Sequence, residues 1–270
     1  MSLFALPYVP GIETFRYGDD PRSLRVAFAH RLCLIRNKTS SGGDSVLAVG
    51  VLRSIGSMWG TQAACQEAGL AVWSIEYRRV GNGGEWPNLL SDVARAYDTL
   101  ALAAERFPLD LQRVIVCGHS AGGHLALWLA ARPRLPAEWR TPQAIPVRGV
   151  LALAPVVDLA ASIAENICTG NAMNLVGGSA QEYADRYQIA SPFHQLPIGV
   201  RQIILYGAHD DIVPPSHAAA YIAKAYTCGE DLRFHVLPSA GHFELVTAGS
   251  SVWDEVRDSL FSLLWVRDYR

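Results

Sequence analysis

The sequence predicts an α/β protein: a mostly parallel sheet with helices on both faces. Three observations carry this expectation. Short β-rich runs alternate with stretches of helical spacing from about residue 46 onward. The runs are apolar throughout rather than alternating, as parallel strands covered on both faces are. Helical segments fill the gaps between them, which suits right-handed crossovers.

Six runs read as strands: residues 46–52, 71–75, 113–117, 147–153, 202–206 and 233–237. Between them, residues 87–107 place Leu90, Val93, Ala94, Tyr97, Ala101 and Ala104 at helical spacing, and Pro87 suits a first turn. Further helices are expected over 125–131, stopped before Pro133, and over 216–226 and 252–266. Two segments break the rhythm. Residues 132–146 carry Pro133, Pro136, Pro142 and Pro146. Residues 162–197 form a long connection between the fourth and fifth strands, with Gly170, Gly177, Gly178 and Pro192. An insertion there sits over the carboxyl ends of the strands, where open α/β sheets bind ligands. A small lid is expected, with an ordinary one-helix connection as the alternative.

Bulk properties narrow the class. A chain of 270 residues buries roughly three quarters of its unfolded surface, enough for one large core. Half the residues are hydrophobic and 18% charged, which excludes a disordered chain. Net charge is −2, with no block of Lys and Arg, so neither nucleic acid nor an anionic membrane is an expected partner. Cys33, Cys65, Cys117, Cys168 and Cys228 are odd in number and scattered. They predict reduced, mostly packed thiols, no metal clip and a cytoplasmic location. The N-terminal eleven residues lack a charged leader and are interrupted by Pro7 and Pro10, unlike a secretory signal. No apolar run reaches the ~18 residues of a membrane helix.

The chemistry is concentrated at residues 118–122, Gly-His-Ser-Ala-Gly. The apolar run Val114-Ile115-Val116-Cys117 precedes this segment, and Gly123-His124-Leu125-Ala126-Leu127 opens a helix after it. Strand, sharp turn and helix are the context of a nucleophile elbow, in which Ser120 sits on a strained backbone and Gly118 and Gly122 remove clashing side chains. The helix N-terminus then offers amides to a developing oxyanion, that of Ala121 first. A serine hydroxyl needs a base. His242, in the loop Ser239-Ala240-Gly241-His242-Phe243 after the sixth strand, is the candidate. His235 lies inside a strand, and His119 and His124 flank the elbow in packing positions. His30, His194, His209 and His217 lie in loops or helix starts. The acid that orients His242 follows the fifth strand, in Gly207-Ala208-His209-Asp210-Asp211-Ile212-Val213-Pro214. Asp210 and Asp211 are adjacent, so only one can face the imidazole, and position favours Asp210 slightly. Asp158 is an outside candidate that reads better as a helix N-cap.

These residues resemble the small α/β-hydrolases that include carboxylesterases, dienelactone-hydrolase-like proteins and arylformamidases (kynurenine formamidases). The resemblance runs from about Trp59 to the C-terminus, with three motifs in order. It implies the α/β-hydrolase fold in a single domain over 1–270, with the lid insertion at roughly 162–197. It also selects Asp210, because the family's acid precedes Val-Pro by three. One departure stands out. The family's His-Gly-Gly, whose amide supplies the second oxyanion donor, is replaced by Val49-Gly50-Val51-Leu52-Arg53-Ser54-Ile55-Gly56. Either another amide near Arg53 to Gly56 serves, or residues 24–52 have lost their normal sequence, for instance through compensating frame errors.

The expectation is therefore a serine hydrolase that cleaves a small ester or amide through an acyl-enzyme, with arylformamidases among the enzymes it resembles. Ser120, Asp210 and His242 form the triad, and neither a metal nor an organic cofactor is needed. Trp59, Trp86 and Trp128 are candidates for an aromatic pocket, with core packing or surface placement an equally good reading of each. A homodimer is compatible with the sequence. The rivals are a non-catalytic binding protein of the same fold, favoured by the missing His-Gly-Gly, and an exopeptidase.

Overall fold

The computed structural model describes residues 12–16, 31–35, 44–51, 64–65, 70–75, 77–107, 109–141 and 145–264. Among them, eight strands form one sheet: β1 (Ile12–Arg16), β2 (Arg31–Ile35), β3 (Asp44–Val51), β4 (Ala71–Ile75), β5 (Leu109–His119), β6 (Val147–Leu153), β7 (Arg201–Gly207) and β8 (Leu232–Leu237). Their spatial order is β1-β2-β4-β3-β5-β6-β7-β8. β2 pairs antiparallel with β1 and β4; every other neighbouring pair is parallel.

The six expected strands are all present, to within a few residues at their ends. β1 and β2 had no counterpart among them. Each is five residues long and carries charge at its ends or within, as in Ile12-Glu13-Thr14-Phe15-Arg16. Both pair antiparallel at one edge of the sheet, outside the strand–helix rhythm that reveals parallel strands. β2 and β3 both fall within the stretch 24–52 that departs from the family pattern. The β8 run is less uniformly apolar in its surroundings than expected. Leu232 and Leu237 are buried, but Arg233, His235 and Val236 are exposed, because β8 is the opposite edge.

The helix expected over 87–107 is divided. α1 (Asn88–Asp98) and α2 (Leu100–Ala104) meet at Thr99. The Thr99 hydroxyl donates to the Arg95 carbonyl at 2.8 Å, a back-bond of the kind that bends helices. Beyond it, Leu100 and Ala103 are buried, while Ala101 and Ala104 are only partly so. The inward face has thus moved by one residue from the expected spacing. α3 (Ala121–Ala131) follows the Ser120 turn directly, and every residue from Gly122 to Ala131 is buried. An all-apolar helix of this kind belongs in the interior, and α3 packs on β3, β5 and β6.

Between β6 and β7 lie four short helices: α4 (Leu159–Ala164), α5 (Asn171–Val176), α6 (Ala184–Ala190) and α7 (Pro192–Gln195). This connection holds its first helix slightly before residue 162, the expected start of a lid. It is tied to the body at several points. The side chains of His124 and Trp128, one turn apart on α3, donate to Ala190 O at 2.8 Å and Ile189 O at 2.9 Å. These are end carbonyls of α6 that helix geometry leaves without partners. The Trp86 amide donates to Leu175 O at 2.8 Å. α8 (Ala219–Thr227) and α9 (Trp253–Leu264) complete the described helices, and α9 packs on β5, β6 and β7. Residues 265 and 266, expected in that last helix, lie outside the described residues.

Candidate active site

β5 is central, so its carboxyl end opens above the middle of the sheet. There the chain turns through Ser120 at φ 58° and ψ −124° and enters α3. Such a conformation costs a non-glycine residue about 1–3 kcal/mol and survives only where its surroundings enforce it. The Ser120 amide donates to Leu153 O at the end of β6, at 2.8 Å. The Ser120 carbonyl accepts from the His124 amide at 3.1 Å, which begins α3. A Cβ on Gly118 would lie 2.1 Å from Gly122 O, so the turn closes only with glycine there. Gly123 is crowded too, with a Cβ placed 2.9 Å from Pro155 Cβ; the sequence reading had not singled it out. Ser120 occupies the helix N-cap position, yet its hydroxyl makes no capping hydrogen bond. Ala121, next in the chain, is exposed at the N-terminus of α3, where amides lack helical partners.

The loops after β7 and β8 meet at the same edge. His242 Nδ1 lies 2.7 Å from Asp210 Oδ2, with both side chains almost wholly buried. Asp210 Oδ1 accepts from the amides of Ile212 at 3.0 Å and Val213 at 2.8 Å. A carboxylate with those acceptor duties is ionised, so Nδ1 of His242 carries the hydrogen, and in the neutral ring Nε2 holds the lone pair. Burial pushes the Asp210 carboxyl up. The His242 hydrogen bond, the Val213 amide, the charge of His242 and the Ile212 amide together outweigh it and hold the group below the usual range. Asp211 points to solvent and is exposed. Asp158 accepts from the amides of Ala160 at 2.9 Å and Ala161 at 3.2 Å, as the N-cap of α4.

The Ser120 turn and the His242 loop touch through His119. Its Nε2 donates to the His242 carbonyl at 2.9 Å, and the two rings lie 4.4 Å apart. The sequence had placed this residue in a packing role. Phe243 stands edge-on to His242, with ring centroids 5.2 Å apart, and is half exposed. Among the described hydrogen bonds none joins Ser120 Oγ to His242.

His124, His217 and His235 serve other ends. His124 is buried under α6, and burial pushes it down to about 4 against a lesser upward pull from the Ala190 carbonyl. His217 is buried with its Nδ1 2.7 Å from Glu165 and its Nε2 accepting from the Val157 amide, so no lone pair is free for base chemistry. His235 is exposed on β8, and His30 lies outside the described residues. Of the tryptophans proposed for a pocket, Trp128 is fully buried and stacks edge-on to Trp139. It is a core residue. Trp86 is partly buried beneath the Arg186 guanidinium, and Trp59 lies outside the described residues. So do Arg53 to Gly56, where a second oxyanion donor was sought. Cys65 and Cys117 are buried free thiols and Cys228 is an exposed one; burial pushes Cys117 up to about 12. Among the described residues no group of three or more His, Cys, Asp or Glu could hold a metal ion. Nor is any described helix long and apolar enough to cross a membrane.

The strand order, the turn after β5 and the paired loops after β7 and β8 define an α/β-hydrolase fold. The chain belongs to the BD-FAE family, whose family model matches residues 52–224. No curated protein matches the sequence. Several solved structures match the fold. A truncated carbohydrate esterase from gut microbiota shares 17% identity at a TM-score of 0.72, over 95% of this chain and 98% of that one. A thermophilic esterase from Thermogutta terrifontis, in a propionate-bound structure, shares 16% at a TM-score of 0.69, over 96% and 97%. A bifunctional GH43-CE protein from Bacteroides eggerthii shares 18% at a TM-score of 0.70, over 87% of this chain. This chain covers 36% of that longer protein. At such identities the shared property is the fold.

Proposed function

We propose that this protein is a serine esterase in which Ser120 is the nucleophile, His242 the general base and Asp210 the acid that orients it. The observation that carries the reading is the buried 2.7 Å contact between His242 Nδ1 and Asp210 Oδ2, at the same sheet edge as the strained Ser120 turn. His242 Nε2 takes the Ser120 proton as Oγ attacks the ester carbonyl carbon. The carbonyl π bond opens to a tetrahedral oxyanion, which the Ala121 amide stabilises. His242 then gives its proton to the leaving alcohol, and the C–O bond breaks to an acyl-enzyme. Water, deprotonated by His242, attacks that acyl group and releases the acid and Ser120. Asp210 holds the imidazole in the tautomer that makes Nε2 the base.

The substrate class proposed is a small, uncharged carboxylic ester. The structural neighbour described as a carbohydrate esterase supports acylated sugars as the first compounds to try. Phe243 supports a second class, aryl esters and arylformamides. Its half-exposed ring beside His242 offers an apolar surface where an aromatic leaving group would stand. Hydrolysis of p-nitrophenyl acetate tests the reading. Ser120→Ala is expected to lower kcat by at least about 10⁴. A loss under tenfold would remove Ser120 from the role and favour a binding protein of this fold.

A further inference from the structure

We propose that His119 is a positioning residue that holds the base loop against the nucleophile's turn, an inference that rests on the serine-esterase reading. A peptide carbonyl can only accept, so the 2.9 Å contact to the His242 carbonyl makes His119 Nε2 the donor. That bond fixes the backbone of the base itself, one residue away from the nucleophile in the chain. His119 is buried, and its ring lies against both the His242 ring at 4.4 Å and the Phe243 ring at 6.1 Å.

The other restraints on the base loop come from elsewhere. The His209 amide donates to Ala240 O at 2.9 Å, which ties the loop to the β7 side. The Gly241 amide donates to Glu244 Oε2 at 3.0 Å, which folds the loop on itself. Asp210 grips the imidazole at Nδ1. Among the described hydrogen bonds, the one from His119 alone joins the elbow to the base loop. A nucleophile and its base must be held to about 0.5 Å, and a 1 Å misplacement costs roughly 10²-fold in rate. Because residues 119 and 120 are consecutive on a strained turn, the distance from Oγ to Nε2 of His242 is set through His119. The role is not merely one of filling space: the donor, placed at the Nε2 position, is what matters.

Three variants and two readouts test this. His119→Phe keeps a ring and loses the donor. His119→Gln carries an amide that reaches the Nε2 position, and the amide of His119→Asn stops short of it. With p-nitrophenyl acetate, the Phe and Asn variants are expected to lose about 10- to 100-fold in kcat, with KM within about threefold. Their rate of phosphonylation by a fluorophosphonate should fall in the same proportion. His119→Gln should return to within about fivefold of the wild type on both measures. Either Phe or Asn suffices if the other does not fold. Equal activity of the Gln and Asn variants, or a donor-free variant within twofold of wild type, would overturn the proposal. If the wild-type protein is phosphonylated at Ser120 while His119 proves indifferent, this inference alone fails. If Ser120 is never labelled, the esterase reading fails and takes this inference with it.

Discussion

Replacing Asp210 with Asn should abolish most activity through a tautomer change that the structure forces. In the wild type, Oδ1 accepts two backbone amides and Oδ2 accepts His242 Nδ1–H. An Asn side chain has one oxygen and one NH₂. If the oxygen faced His242, the NH₂ would face the Ile212 and Val213 amides and leave both donors unsatisfied. Each such loss costs about 1–3 kcal/mol, so the oxygen stays with the amides. The NH₂ then faces His242 Nδ1, which must accept, and the hydrogen moves to Nε2. An imidazole in that tautomer cannot take the Ser120 proton. The equivalent change in a serine–histidine–aspartate triad lowers kcat about 10⁴-fold, or ~5 kcal/mol. We therefore expect kcat for p-nitrophenyl acetate to fall about 10³- to 10⁴-fold in Asp210→Asn, with its circular dichroism unchanged. The neighbouring Asp211→Asn should stay within about twofold of wild type. An Asp210→Asn enzyme within tenfold of wild type, or an equal loss in Asp211→Asn, would refute the assignment.

Other perturbations separate chemistry from architecture. Gly118→Ala places a Cβ 2.1 Å from Gly122 O; a destabilisation of about 4 kcal/mol or more is expected, and a wild-type melting temperature would contradict the close approach. Asp158→Ala removes the cap of α4 and should lower stability by about 1 kcal/mol with kcat unchanged. A hundredfold loss of activity there would make Asp158 the acid instead. His124 makes stability sensitive to acid. Its native value is about 4 against 6.5 unperturbed, so between these pH values the unfolded chain binds a proton that the native protein does not. Stability therefore falls as pH drops from 6.5 towards 4, by up to about 3 kcal/mol. His124→Gln, which keeps a donor for Ala190 O, should show a smaller drop in melting temperature between pH 7 and pH 4.5. The same drop in both proteins would show that His124 is not its source.

The parallel part of the sheet was legible because its strands advertise themselves as apolar runs of five to seven residues between helices. β1 and β2 were not, because short antiparallel edge strands with charged residues carry neither signal. The elbow was legible for a different reason: a glycine-flanked serine between an apolar strand and an apolar helix has few other uses. Asp210 and Asp211 are indistinguishable by residue type. The structure separates them through the amides of Ile212 and Val213, which turn one carboxylate inward. The split of the first long helix at Thr99 was also hidden, since a threonine at that spacing fits an unbroken helix equally well. Trp128 illustrates an alternative that the sequence leaves open. An aromatic residue on the helix after Ser120 fits a pocket or the core equally well, and its spacing from His124 places both donors on the end of α6, where they hold that helix. His119 looked like packing because nothing in a local motif reveals a partner 123 residues away.

The reactivity of Ser120 is the central claim, and covalent labelling tests it most directly. A fluorophosphonate should add once to the native protein, and peptide mapping should place the adduct on Ser120. Ser120→Ala should not react, and His242→Gln should react far more slowly than wild type. An adduct on another residue, or labelling that persists in Ser120→Ala, would contradict the account.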